Sequence, residues 1–220
     1  LQANQHTEAA AGSWWALCEA RFNYYRDFIV RGFYDEHFRH LDQQVLLVDM
    51  LGPMDAGQAA LADLKDAMEA VLESFHYGQN GLLARLLRFR PRIRRLALCA
   101  TKVDKVGPRQ QRAVQQCLED LMVDRLADVR HGGVETKGIP LSAIRATRQE
   151  GESLVAGLQG KTGWIRYQPG DIPAHLPQSL EVNSPELLPL RPPPGLHRNE
   201  PFPHYRMDDL VAWLLGGERL

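Results

Sequence analysis

Val45-Leu46-Leu47-Val48-Asp49-Met50-Leu51-Gly52 and Leu96-Ala97-Leu98-Cys99-Ala100-Thr101-Lys102-Val103-Asp104 are the stretches that decide the fold. Each is an apolar run ending in a polar cluster. A strand buried on both faces of a parallel sheet needs such a run, and open α/β sheets place their ligands at the carboxyl ends of such strands. Leu141-Ser142-Ala143-Ile144 is a third, shorter segment of the same kind.

Between these segments the apolar period changes from strand to helix. Residues 57–77 place Leu61, Leu64, Met68, Val71, Leu72 and Phe75 on one helical face. Residues 108–128 do the same with Val114, Cys117, Leu118, Leu121 and Leu126, and Pro108 suits a helix start. A strand over 134–141 follows, weakened by Glu135, Thr136 and Lys137. Alternating strands and helices predict an α/β fold, a mostly parallel sheet with flanking helices. Upstream, residues 13–40 read as helix, with Ser13 as N-cap and Gly32 as an interruption. Beyond residue 148 prolines accumulate, including Pro192-Pro193-Pro194; only Trp164-Ile165-Arg166-Tyr167 alternates like a strand. The rest reads as loop draped over the core, closed by a helix over 207–216. The expected division is a domain over 1–148 with its helical segment 13–40, then a proline-rich extension and terminal helix over 149–220.

Composition bounds the function. The chain has 220 residues and a net charge of −1, which gives no global attraction to nucleic acid or an acidic membrane. Arg85, Arg88, Arg90, Arg92, Arg94 and Arg95 form a local basic run, read as a solvated surface. Cys18, Cys99 and Cys117 are odd in number and widely spaced, which fits a reducing compartment and neither a disulfide framework nor a zinc site. His37 and His40, three apart, read as surface residues rather than as a metal pair. No apolar stretch is long enough to span a membrane, and the first residues lack the basic end and apolar core of a signal peptide. The first residue is Leu1 rather than Met, and the chain is expected to begin inside a longer protein.

The strand ends carry chemistry. Asp49, at the end of a buried strand, needs a partner for its charge, and in phosphate-transfer proteins that partner is Mg²⁺. Gly52 has no side chain to keep a phosphate away. Asp104 suits a guanine base, whose ring N1–H and exocyclic amine are two adjacent donors that one carboxylate can accept; adenine offers no such pair. The Lys102 stem can lie along the base. Thr101 carries a hydroxyl able to tie neighbouring loops. Ser142, Ala143 and Ile144 complete the set, with the Ala143 amide placed to meet the guanine carbonyl oxygen. Gly157-Leu158-Gln159-Gly160-Lys161-Thr162 imitates a phosphate loop, but Val155 stands where the first glycine should. No apolar strand leads into it and no helix follows, so it reads as a turn.

The order Asp-x-x-Gly, Thr-Lys-x-Asp, Ser-Ala is that of Ras-like GTPases, and the chain resembles the YcjX-like family within them. The likeness includes Tyr25-Arg26-Asp27-Phe28-Ile29-Val30-Arg31, Phe38-Arg39 and Ser74-Phe75-His76-Tyr77-Gly78. It continues through Tyr167-Gln168-Pro169-Gly170-Asp171-Ile172-Pro173 and Pro203-His204-Tyr205-Arg206-Met207-Asp208. The resemblance implies GTP and GDP as ligands, Mg²⁺, slow GTP hydrolysis and a switch role in bacterial stress response. It also implies a cytoplasmic location and an inner-membrane protein partner. In the Ras-like pattern the position of Thr101 is usually Asn. Two features depart from the family pattern. No phosphate-binding Gly-x-x-x-x-Gly-Lys-Ser/Thr loop precedes Val45, so the chain resembles the carboxyl-terminal part of such a protein. Pro53 stands where many Ras-like proteins carry a water-orienting glutamine, which leaves the catalytic residue unidentified. The competing readings are a catalytically inactive nucleotide-binding or structural scaffold working through a partner surface, and an unrelated α/β enzyme.

Overall fold

The computed structural model describes residues 13–37, 41–74, 93–178, 188–193, 196 and 201–216. Arg85, Arg88, Arg90, Arg92, His40, Phe75 and Pro194 lie outside the described residues. The chain divides into two compact units, Leu1–Leu41 and Asp42–Leu220.

Residues 14–37 of the first unit are helical. Ser13 caps α1 (Trp14–Tyr24), its hydroxyl accepting from the Ala16 amide at 3.1 Å. A π-helical turn over Tyr25–Val30 leads into α2 (Arg31–His37). Gly32 therefore lies inside a helix, and the departure from α geometry falls before it. The turn is supported locally by stacking of Tyr24 on Phe28 with ring centroids 4.9 Å apart.

The second unit is built on a three-stranded parallel sheet in the order β1 (Gln43–Val48), β2 (Arg95–Ala100), β3 (Glu135–Gly138). Its register sets Val48 beside Ala100 and Leu98 beside Gly138. Alternate side chains of β2 serve two cores, as the pleat requires. Leu96, Leu98 and Ala100 join the larger core with α3 (Leu51–Ala56), α4 (Gln58–Ser74), α5 (Gln111–Leu121) and α6 (Val123–His131). Ala97 and Cys99 face the smaller one, closed by Leu210, Met207, Trp213 and Leu214 of α7 (Met207–Leu214). On α4, Leu61, Met68 and Leu72 are buried, whereas Val71 is exposed.

Three features were not foreseen. The helix expected over 108–128 is two, broken at buried Met122. Buried Gln115 acts as a piece of strand beside β2: its Oε1 accepts from the Ala100 amide and its Nε2 donates to the Leu98 carbonyl, both at 2.9 Å. Residues after 146 hold a second, antiparallel sheet, β4 (Thr147–Glu150), β5 (Ser153–Ala156) and β6 (Ile165–Tyr167), where loop was expected for all but the last. Gly151, at φ +65°, opens the two-residue turn between β4 and β5, the conformation a hairpin of this length selects. The expected boundary at residue 148 falls inside β4.

Candidate functional site

Because β1, β2 and β3 are parallel, their carboxyl ends lie on one edge of the sheet, and the three polar clusters arrive there together. Asp49 follows β1 directly. Its Oδ1 accepts from the Gly52 amide at 3.3 Å, and its Oδ2 from the Lys102 ammonium at 2.5 Å. The Lys102 and Asp49 side chains are 55 % and 36 % exposed, so this pair borders solvent. Gly52 sits in the first turn of α3. A Cβ there would meet Asp49 at an ordinary 3.7 Å, so neither crowding nor backbone conformation demands glycine in this structure. Pro53 also lies in that turn, where a missing amide hydrogen costs little.

Thr101 ties β2 to β1, its amide and its hydroxyl both donating to the Val48 carbonyl, at 2.7 and 3.1 Å. Lys102 holds a left-handed backbone, φ +59°, outside glycine's usual monopoly of that region. This reversal starts the tight turn Val103–Lys105 and turns Asp104 inward. Asp104 is only 6 % exposed. Its Oδ1 accepts from the Ser142 hydroxyl at 2.7 Å, its Oδ2 from the Ala146 amide at 2.8 Å, and its own amide donates to Ser142 Oγ at 3.0 Å. The second and third segments are thereby locked together. Each carboxylate oxygen has two lone pairs and uses one here. Ala143 and Ile144 remain exposed beside the lock.

Sequence reasoning missed the supports of this cluster. Ser142 exchanges both main-chain hydrogen bonds with Tyr205, at 3.1 and 2.9 Å, and the Arg145 amide donates to the Pro203 carbonyl. The segment before α7 thus pins the Ser142 loop. From β6, Tyr167 lies close enough that burial, and then the Asp104 charge, push its hydroxyl up to about 12. Cys99 and Cys117 are pushed up to about 12 and about 11 by burial and are inert as nucleophiles at neutral pH.

A cation at this edge would meet Asp49, the carboxylate that borders solvent; Asp104 is buried and hydrogen-bonded. Among the described residues no group of three or more His, Cys, Asp or Glu could hold a metal. That donor set fits a Mg²⁺ completed by phosphate oxygens and water and does not fit an all-protein cage. Lys161 stands apart from the cluster. Its carbonyl and that of Gly163 accept from Arg191, at 3.4 and 2.9 Å, and the guanidinium lies over the Trp164 ring. A loop whose carbonyls converge on a cation is the electrostatic opposite of an amide cradle for phosphate. Among the described residues no helix is long and apolar enough to cross a membrane.

The sequence profile of the YcjX-like family, DUF463, matches residues 1–219. The chain is 32 % identical over 225 residues to the Ras-like GTPase YcjX of Escherichia coli (strain K12), an alignment covering 98 % of this chain and 46 % of that protein. It is 34 % identical over 214 residues to the Ras-like GTPase YcjX of Shewanella oneidensis (strain MR-1), covering 91 % of this chain and 43 % of that protein. The chain thus spans less than half the length of these curated relatives. With a match along nearly its whole length, the chain belongs to the YcjX-like family.

Proposed function

We propose that this chain is the base-reading and metal-side portion of a guanine-nucleotide switch that hydrolyses GTP slowly. One observation carries the reading: the buried Asp104 carboxylate, locked to Ser142 and to the Ala146 amide at the carboxyl edge of a parallel sheet. A carboxylate held so firmly, with a lone pair left on each oxygen, is preorganised for two adjacent donors, and guanine supplies them. The names of the relatives, each a Ras-like GTPase, agree with it. In this reading Thr101 joins the strand ends and Lys102 borders the base. Ala143 and Ile144 edge the base pocket, Gly52 nears the terminal phosphate, and Asp49 holds Mg²⁺, which would neutralise phosphate charge. Asp49 and Lys102 are ion-paired here, and that pair would have to open for Asp49 to hold Mg²⁺ and Lys102 to border the base. Residues 1–220 carry no Gly-x-x-x-x-Gly-Lys-Ser/Thr motif. A role in stress signalling through an inner-membrane partner rests on the family resemblance.

Titration of the full-length protein with GDP and ADP tests the reading. GDP should bind far more tightly. Asp104→Asn should weaken GDP by about 30-fold to 1000-fold, the loss of a bidentate charge-assisted contact of about 2 to 4 kcal/mol. Equal affinity of variant and parent for GDP would remove the assignment. The second reading, a nucleotide-binding scaffold without turnover, is favoured by Pro53, which has no side-chain group to orient water. GDP binding with no measurable phosphate release would select it.

A further inference from the structure

The turn carrying Asp104 is braced by the antiparallel sheet. Thr147, the first residue of β4 and buried, donates its hydroxyl to the Asp104 main-chain carbonyl at 2.6 Å. Thr147 pairs with Ala156 of β5, and β5 pairs with β6. From β6 the Tyr167 hydroxyl makes a longer contact, 3.4 Å, to the carbonyl of Lys105, the next residue of the same turn. Two successive carbonyls of the turn are thus tied to one sheet. A buried hydroxyl is costly without a partner, and valine would fill the same volume and suit a strand as well. The Thr147 hydroxyl has its partner in the Asp104 carbonyl.

We propose that Thr147 and Tyr167 are positioning residues for base selection. The sheet β4–β6 sets the angle of the Asp104 turn, so that both carboxylate oxygens point at a base presenting two adjacent donors. The inference rests on the guanine reading above and adds to it the residues that fix the second hydrogen bond, the one to the 2-amino group. Hydrogen bonds weaken steeply as their angle departs from linear, so a small rotation of the turn would cost the second contact before the first.

The test titrates the full-length protein with GDP, IDP and ADP. IDP lacks the 2-amino group, so the GDP:IDP affinity ratio reports the second contact alone. The parent should prefer GDP to IDP, and both to ADP. Thr147→Val should lower the GDP:IDP ratio about fivefold, the worth of one net hydrogen bond, while IDP affinity moves less. Thr147→Ser should restore the ratio. Tyr167→Phe should lower it about twofold, in keeping with its longer bond. A merely structural role would weaken GDP and IDP together; that result, or an unchanged ratio in Thr147→Val, overturns the inference. If Thr147→Val does not fold, an unchanged ratio in Tyr167→Phe overturns it instead. A parent that fails to prefer GDP to ADP removes the guanine reading itself, and this inference with it.

Discussion

At the scale of single residues, Asp104 and Lys161 stand in opposite environments. Asp104 is locked; Lys161 hangs from a turn whose carbonyls Arg191 gathers. Lys161→Ala should therefore leave GDP affinity and GTP turnover of the full-length protein within twofold of the parent. A tenfold loss in a folded variant would mean that the Gly-Lys-Thr segment touches nucleotide. Asp120 shows a different kind of locking. Burial pushes its carboxyl up, but hydrogen bonds from Gln116, the Leu176 amide and His175, with the His175 charge, outweigh that and hold it below its ordinary 3.8. A carboxyl depressed in the folded state adds stability that is present above 3.8 and is lost as pH falls through the lower folded value. Acidification from pH 5 towards pH 2 should thus lower the urea midpoint of the parent more than that of Asp120→Asn. Parallel profiles would show that the carboxylate adds nothing to stability.

At the scale of elements, β2 is the axis of the second unit, and two side chains complete it. Arg95 donates to the Trp213 and Leu214 carbonyls at 2.9 and 3.0 Å, satisfying the last turn of α7, and pairs with Glu135 at 3.0 Å. Trp213 in turn donates to Glu135, with Arg95 and Lys137 near its ring. Gln115 satisfies the Ala100 amide within the core. Gln115→Ala should destabilise the protein by about 1 to 3 kcal/mol, because a buried amide is left without an acceptor. Chemical denaturation measures it, and a change under 0.5 kcal/mol would show that water or another group replaces the glutamine. β3 tolerates its polar sequence for a related reason. It is an edge strand, its Thr136 takes a hydrogen bond from Arg130, and its Lys137 borders Trp213.

At the scale of the molecule, each unit keeps apolar surface in solvent. Leu47, on the face of β1 opposite the larger core, is 62 % exposed, while Val45 on that face packs against the smaller core. In the first unit Trp14 is 83 % exposed, and Phe22, Tyr24, Phe28 and Phe33 are exposed with it. Large apolar side chains left exposed together mark an interaction or aggregation surface. Residues 1–220 alone should therefore self-associate as concentration rises, measured by sedimentation velocity; a monomer throughout the micromolar range would contradict this. Most nucleotide affinity in a site of this kind comes from amides and a lysine around the phosphates. Residues 1–220 by themselves should bind GTP weakly and release no phosphate. Turnover abolished by Asp49→Ala would reveal a phosphate site within these residues.

The sequence by itself determined β1 and β2, since Val45–Val48 and Leu96–Ala100 are apolar without interruption; β2 is buried on both faces, whereas β1 leaves Leu47 exposed. It also determined the chemical types waiting at their ends and the family, because those depend on identity and order along the chain. Its limits were long-range. Nothing local announced that Gln115 would stand in for strand, that Met122 would break a helix, or that Tyr205 would pin Ser142. The Gln115 and Tyr205 bonds join groups far apart in the chain and form only when the sheet assembles. The antiparallel sheet after residue 146 escaped notice because its strands are short and Thr147–Glu150 is polar. Tertiary structure alone decided that Thr147 meets the Asp104 carbonyl across 43 residues.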